Sequence, residues 1–147
     1  MLFAHGGVGG GHSLYIKDRR LHYVYNWLGE RIQSVTSPDP IPAGTHVLTA
    51  AFEKTADDQG TGSAVGTLTL YVDTRAVGSA EIMTQPGPFT LTGDGLCTGR
   101  DSGSAVSSDY TAPFPFVGGK IARVIVDVSG DHYVDHEKEV LAYIARD

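Results

Sequence analysis

Short runs in which apolar and polar residues alternate constrain the fold of this chain more than any other feature. In the clearest run, Thr67–Asp73, every second residue is a leucine or valine. A period of two places successive side chains on opposite faces of a β-strand. The runs Leu14–Ile16 and Leu21–Tyr25 share this period, and the polar stretch between them predicts a β-hairpin. Val77–Met83 is predicted to pair with Thr67–Asp73 in a second hairpin.

Segments rich in proline, glycine and polar residues separate these runs. Ser37–Gly44 contains three prolines, and Thr55–Gly66 is polar and rich in glycine, so both are predicted loops. A late strand is predicted over Val124–Val128, where valines recur at every second position. Many short strands with few helices indicate a mainly β fold, an antiparallel β-sandwich or barrel.

The end of the chain is the part whose period changes. Its apolar residues recur at helical spacing after Asp135, which is a suitable N-cap. The sequence therefore predicts a short C-terminal helix from about residue 135.

The length of 147 residues fits one domain with a buried core. Residues 1–11 include five glycines and are predicted to form a linker or arm, which leaves residues 12–147 as a single β-sandwich domain that includes the helix. A glycine-rich start is typical of a piece of a larger protein. A free-standing protein with a loose N-terminal arm is the alternative.

Charge and composition exclude several classes of partner. The formal net charge of −6 disfavours nucleic acid, whose binders need clustered lysine and arginine. No apolar run approaches the roughly 20 residues that span a bilayer, so no membrane partner is expected. Cys97 is the single cysteine, which excludes an internal disulfide and a cysteine-based zinc cage. With no signal peptide visible at the N-terminus, a cytoplasmic location is expected.

The stretch Gly99–Tyr110 contains the letters DSG, which also occur in the nucleophile loop of chymotrypsin-like serine proteases. The segment from His46 to Glu53 is similar to the one that carries the catalytic histidine of those enzymes. However, Phe52 stands where the histidine belongs, and a phenylalanine cannot accept a proton from Ser102. The protease interpretation therefore lacks its base.

Cys97 begins a CTGR stretch that invites comparison with the Cys-x-Pro-x-Arg motif of sulfatases, whose cysteine is oxidised to formylglycine. The proline is absent, and Arg100 comes one position early. Cys97 is accordingly expected to be a small apolar residue in a strand.

Two sets of residues are candidates for metal ligation. His132 and His136 are four residues apart, but no glutamate follows the first histidine as the helical zinc motif requires. Gly93–Gly95, Asp101 and Asp109 form an acidic, glycine-rich stretch of the kind that holds calcium, without EF-hand spacing. The sequence assigns no metal-ligating, cofactor-binding or catalytic residue to this chain.

Four aromatic residues near the N-terminus have two interpretations. They could form a platform for sugar rings, or they could fill a sandwich core and pair across the first hairpin. The core interpretation is favoured for these residues, which are Tyr15, Tyr23, Tyr25 and Trp27.

Read together, four collinear segments resemble the C-terminal domain of bacterial arylsulfatases. They are GGHSLYIKDRRLHYVYNWLGERIQSV (Gly10–Val35), PIPAGTHVLTAAFE (Pro40–Glu53), GTLTLYVDTRAVG (Gly66–Gly78) and GRDSGSAVSSDYTAPFPFVGGKIARVIVDV (Gly99–Val128). The resemblance implies a concanavalin- or laminin-G-like jelly roll that follows a catalytic α/β core. That core hydrolyses sulfate esters with formylglycine and a divalent cation, usually calcium, and none of its catalytic residues lies in these segments. Similar domains have an acidic residue at the position of Cys97.

The resulting hypothesis is a non-catalytic accessory domain of an arylsulfatase-like enzyme. Its partners would be the sulfatase catalytic domain in the same polypeptide and, in an oligomer, a second copy of the chain; calcium and formylglycine belong to the catalytic domain alone. A lectin-like carbohydrate-binding module, with a glycan as partner, is the alternative. A small independent enzyme is a third hypothesis, and it lacks a nucleophile–base pair.

Overall fold

The computed structural model of the protein describes residues 1–86 and 94–128. These residues form two antiparallel sheets, which confirms the predicted mainly β sandwich. Within the described residues no helix is long and apolar enough to cross a membrane. The strands are β1 (Phe3–Gly7), β2 (Gly10–Lys17), β3 (Arg20–Trp27), β4 (Arg31–Thr36), β5 (Leu48–Asp57), β6 (Ala64–Val72), β7 (Arg75–Met83) and β8 (Asp94–Thr98).

The first sheet has five strands in the order β4-β3-β2-β1-β8. Its β2–β3 hairpin is the one that the alternating pattern predicts, with Lys17 paired to Arg20. The two residues of its turn, Asp18 and Arg19, have φ values of 50° and 62°. Positive φ at both central positions matches the right-handed twist of the flanking strands and closes a two-residue hairpin.

The predicted linker over residues 1–11 is wrong, because most of these residues belong to strands β1 and β2. β1 pairs with β2 on one side and with β8 on the other. The glycines serve close backbone approach rather than flexibility. A Cβ atom on Gly6 would lie 2.2 Å from the backbone oxygen of Gly10, and one on Gly11 would lie 2.2 Å from that of His5. Glycine is the residue that such a crossing tolerates.

The second sheet has three strands in the order β5-β6-β7. The predicted hairpin is present, and Val72 pairs with Arg75 across its turn. The loop predicted over Thr55–Gly66 is shorter than expected, because β5 continues to Asp57 and β6 begins at Ala64. The alternation in β6 sorts its side chains as predicted, with Leu68 and Leu70 buried against the other sheet.

The core between the sheets lies under β2, β3 and β4 and is closed by β6 and β7. β7 approaches β4 closely, since a Cβ on Gly78 would lie 3.3 Å from the backbone oxygen of Thr36. The buried side chains of this core are Leu14, Leu21, Tyr23, Tyr25, Val35, Leu68, Leu70 and Ile82.

The segment after β8, residues 99–116, covers the opposite face of the five-stranded sheet. Tyr15 on that face packs against Tyr110 and Phe114, with ring centroids 5.2 Å and 5.8 Å away. The backbone N–H of Gly99 donates to the carbonyl of Leu2 at 3.1 Å, which attaches the start of the segment to the edge of the sheet. The second sheet and this segment therefore pack on opposite faces of the five-stranded sheet.

The strand predicted over Val124–Val128 is not formed. The structure has no β-ladder at these residues, and their apolar side chains are exposed, with Val126 at 57% and Val128 at 91%. A strand exists only where a neighbour supplies hydrogen bonds, and periodicity cannot supply that neighbour. The helix predicted from about residue 135 lies outside the described residues.

Candidate functional site

The stretch Gly99–Tyr110 is built around the carboxylate of Asp101. This side chain is 1% exposed, and the hydroxyl of Tyr110 donates to its Oδ2 at 2.5 Å. The N–H of Gly103 donates to Oδ1 at 3.3 Å. Burial, and then the bond to Asp101, raise the pKa of the Tyr110 hydroxyl, so the tyrosine stays protonated as the donor.

The Tyr110 hydroxyl also accepts a hydrogen bond, from the N–H of Val106 at 3.0 Å. Tyr110 thus joins Asp101 to the middle of the segment and holds both ends of a tight loop. The bond from Gly103 shows that Asp101 also satisfies a backbone amide within this loop.

Asp109 makes a different connection, to the sheet beneath the segment. Its Oδ2 accepts from the Tyr15 hydroxyl at 2.5 Å, and its Oδ1 accepts from Lys17 Nζ at 2.7 Å. The hydrogen bond from Lys17, and then the one from Tyr15, lower the pKa of Asp109 below its ordinary value. The carboxylate of Asp109 therefore binds two side chains of β2.

The residues compared with a protease are placed in unrelated roles. Ser102 is exposed on the loop that Asp101 organises. His46 Nδ1 lies 2.9 Å from Asp73 Oδ2, which ties the chain before β5 to the β6–β7 turn. Phe52 lies on β5 and is exposed. His46 and Asp73 thus form a structural pair, in keeping with the rejection of the protease interpretation at Phe52.

Cys97 is in a strand, as expected, but it is partly exposed rather than buried. Its Sγ donates to the carbonyl oxygen of Gly95 at 3.3 Å.

The carboxylates considered for calcium have separate partners. Asp101 is bound to Tyr110, and Asp109 is paired with Lys17. In residues 1–86 and 94–128, no three side chains of His, Cys, Asp or Glu form a group that could hold a metal ion. Gly93, His132 and His136 lie outside the described residues.

His12 is a histidine whose environment the sequence did not reveal. It lies opposite His5 on β1, with ring centroids 5.8 Å apart, and its Nδ1 is 3.2 Å from the Tyr23 hydroxyl. The ring of Phe3 contacts it edge-on at 4.9 Å. Burial, and then the nearby charge of His5, lower the pKa of His12 from 6.5 to about 4.

The four aromatic residues weighed as a sugar platform belong to the interior. Tyr15, Tyr23 and Tyr25 are buried, which confirms the favoured interpretation. Trp27 is half-buried against the inter-sheet core, and its indole N–H donates to the carbonyl of Thr84 at 3.1 Å.

The feature that sequence reasoning missed is an open groove on the outer face of the five-stranded sheet, with a volume of about 320 Å³. It lies between the edge strand β4 and the middle of the segment over residues 99–116, and we call it the outer groove. Its rim consists of His22, Ile32, Ser34, Thr36, Ser108 and Asp109. The alternation in β4 assigns Ser34 and Thr36 to one face, but nothing local shows that a segment more than seventy residues later forms the opposite wall.

Comparison of the chain with family models, with curated proteins and with solved structures finds no match.

Proposed function

We propose that this chain is a non-catalytic accessory domain of an arylsulfatase-like sulfate ester hydrolase, with a concanavalin- or laminin-G-like jelly roll fold. In this role it packs on the catalytic domain or mediates assembly. The proposal starts from the four collinear segments that resemble such domains, and it takes its structural support from how those segments use their polar residues.

The observation that carries the proposal is the buried bond between Tyr110 and Asp101. A general acid or base must reach the atom to which it transfers a proton. Asp101 is 1% exposed, and its carboxylate already accepts from Tyr110 and Gly103. Within the stretch that resembles a nucleophile loop, the bonds of Asp101 thus hold the segment over residues 99–116 together, which is the structural use that an accessory domain would make of it.

A second line of support is the exposed apolar run at the end of the described chain. Val124, Ile125, Val126 and Val128 are all exposed. Large exposed apolar patches mark interaction surfaces in soluble proteins. The occupant we propose for this run is the catalytic domain of the same sulfatase-like polypeptide.

The first experiment is a turnover assay with the chain alone and a chromogenic sulfate ester, with and without calcium. The proposal expects no hydrolysis above buffer. Sulfate release that rises with protein concentration and survives repurification would contradict the proposal directly.

The second experiment tests the positive part of the proposal. The reading frame upstream of this chain is searched for a Cys-x-Pro-x-Arg motif, and the encoded core is co-purified with the chain. Val126→Lys is expected to weaken association at least ten-fold. Val8→Lys is the matched control, because Val8 is also an exposed valine, at 70%, but sits on the β1–β2 turn. An upstream frame without the motif, or equal loss in both variants, would refute the docking role.

The alternative of a carbohydrate-binding module loses the residues on which it first rested. The hydroxyl of Tyr25 accepts from the backbone of Gln85 at 2.7 Å, and Tyr23 is bonded to His12, so neither ring is presented on the surface. No exposed platform is formed by the aromatic residues that suggested it.

A further inference from the structure

The two sides of the sandwich are closed to different extents. On one side β7 lies near β4, where Gln33 Nε2 donates to the carbonyl of Met83 at 2.8 Å and the N–H of Met83 donates to Gln33 Oε1 at 2.9 Å. β5 lies on the other side, at the edge of a sheet of three strands that faces a sheet of five. Within residues 1–86 and 94–128, β5 pairs with β6 and has no strand on its outer edge. That outer edge is therefore a place where a further strand can pair.

The inner face of β5, which points toward the first sheet, is incompletely buried. Its residues Leu48, Ala50 and Phe52 lie opposite buried apolar residues of β6. Directly opposite residues in an antiparallel pair share one face of the sheet. Phe52 is nevertheless 39% exposed. A strand on the outer edge of β5 would cover this ring.

The first half of β5 is the part suited to accept a strand. Its second half contains Glu53 and Lys54, and a β-bulge interrupts the ladder between Lys54 and Ala56. Charged side chains and bulges protect a sheet edge from pairing with other chains. Residues 48–52 carry no charge and precede the bulge. They form the acceptor edge.

The same chain carries a strand-like segment that has no ladder. Residues 123–128 have valines at every second position, and Val126 and Val128 are 57% and 91% exposed. Two adjacent glycines precede this segment, and Gly118 has a φ of 82° with no atom within 4 Å of the Cβ position that it leaves empty. Glycine allows the backbone to take many directions at such a point. We call residues 123–128 the donor arm.

The donor arm and the acceptor edge match in their apolar residues. In an antiparallel register with Val126 opposite Ala50, the flanking valines lie opposite Phe52 and Leu48. All three valines then point to the inner face, because side chains two residues apart share a face. Burial of these valines against Phe52 removes apolar surface of both segments from water.

The same register also matches the charges. It places Arg123 opposite Glu53 on the outer face, where opposite charges on facing residues stabilise a strand pair. A shift by two residues, the smallest that keeps the valines inside, would place Arg123 opposite Ala51 or Thr55 instead. Charge therefore selects one register among those that the apolar pattern allows.

We propose that two copies of this chain form a dimer by strand exchange, in which the donor arm of each copy pairs with the acceptor edge of the other. Within one copy the donor arm forms no ladder with β5, so both segments are available to a second copy. Reciprocal exchange makes two identical interfaces and closes with two-fold symmetry. The inference goes beyond docking on a catalytic domain, which would compete with the second copy for the same arm.

The first test is sedimentation velocity of the chain from about 1 μM to about 500 μM, where the dimer fraction is expected to rise with concentration. Val126→Lys is expected to weaken dimerisation at least about ten-fold, because it places a charge on the inner face. Val8→Lys is the matched control, since Val8 is an exposed valine outside both segments, and it should dimerise like the wild type.

The second test concerns the register. Arg123→Glu and Glu53→Arg are each expected to weaken dimerisation about three-fold, because like charges then face each other. The double variant with both changes restores opposite charges and should dimerise like the wild type. The melting temperature of each variant shows that it is folded.

The third test distinguishes pairing between copies from pairing within one copy. In a Cys97→Ser background, Ala51→Cys and Ile125→Cys are made in separate chains. These positions are directly opposite in the proposed register, so their thiols can form a disulfide. Mixing the two variants under mild oxidation is expected to give a linked heterodimer, whereas Val8→Cys mixed with Ile125→Cys should give none.

Four results would overturn the proposal. They are a chain that stays monomeric over the whole range, equal dimerisation of Val126→Lys and the wild type, a double charge variant no better than the single ones, and a disulfide that forms within one chain but not between chains. Glu53→Arg separates this proposal from docking on a catalytic domain. Glu53 borders the acceptor edge, so this change should weaken dimerisation and leave association with the core unchanged.

Discussion

Acid should destabilise this protein through His12, well before most carboxylates are protonated. The folded chain keeps His12 neutral until the pH falls to about 4, because burial and the charge of His5 oppose its protonation. In the unfolded chain the same side chain takes up a proton near pH 6.5. Between these values the unfolded state binds the extra proton, so stability is complete above pH 6.5 and falls as the pH drops toward 4.

The size of the effect follows from the depression of the pKa. A shift from 6.5 to about 4, at about 1.4 kcal/mol per pKa unit, corresponds to about 3 kcal/mol lost between pH 7 and pH 4. That is a large share of the roughly 5–15 kcal/mol that stabilises an ordinary domain.

The measurement is the free energy of unfolding in urea at half-unit steps from pH 7.5 to pH 4. His12→Gln removes the titrating group, and its stability should fall by about 3 kcal/mol less than that of the wild type over this range. His12→Phe fills the same space with a ring and serves as a second non-titrating variant. Phe3→Leu is the matched control, because it perturbs the same cluster without changing the number of bound protons.

The reasoning also predicts a direct spectroscopic result. The His12 ring resonances of the folded chain should remain those of a neutral imidazole at pH 5.5. Titration of His12 near pH 6.5 in the folded protein, or parallel pH profiles for the wild type and His12→Gln, would refute the assignment of this acid sensitivity to His12.

Three further predictions concern stability and are each measured by urea unfolding at pH 7. Asn26→Ala should lower the free energy of unfolding by about 3 kcal/mol, because its NH2 group lies within hydrogen-bond distance of three backbone carbonyls and its oxygen accepts from a turn N–H. Asn26→Asp should cost at least as much, because it places a second carboxylate oxygen against those carbonyls in a buried position, and a smaller loss than for Asn26→Ala would contradict this account. Asp101→Ala should lower the free energy of unfolding by about 3 kcal/mol, because it leaves the donors Tyr110 O–H and Gly103 N–H unpaired. Ser102→Ala should change it by no more than about 0.5 kcal/mol. A larger loss for Ser102→Ala than for Asp101→Ala would contradict the role of Asp101 in holding the loop. Gly11→Ala should lower the free energy of unfolding by more than about 2 kcal/mol, because its Cβ would lie 2.2 Å from a backbone oxygen, while Gly95→Ala has open space and should be tolerated. Equal free energies of unfolding for the two variants would argue against the tight β1–β2 crossing.

The sequence pattern and the fold differ most at the glycine-rich start. Five glycines within eleven residues are typical of a linker, and the same glycines allow two strands to approach closely. Composition cannot distinguish these outcomes, because both use the absence of a Cβ. The difference depends on whether a partner strand is available, and β1 has one on each side.

The candidate site also differs from what the sequence pattern suggested. The motif comparisons singled out Ser102 and Cys97. The side-chain hydrogen bonds that hold this region are instead made by Asp101, Asp109 and Tyr110. An aspartate that accepts from a distant tyrosine has no local signature, since Asp109 and Tyr15 are 94 residues apart. The outer groove was likewise beyond prediction, because its two walls come from β4 and from the segment after β8.

The sequence by itself determined the two hairpins and the mainly β character of the chain. Alternation and turn chemistry act within a few residues, so the β2–β3 and β6–β7 pairs follow from the order of the amino acids alone. Tertiary structure decided which segments found partners: β1 became an inner strand, while Val124–Val128 formed no ladder despite a strand-like pattern. Strand formation requires hydrogen bonds from a neighbour that is distant in the chain, and only the folded arrangement supplies that neighbour.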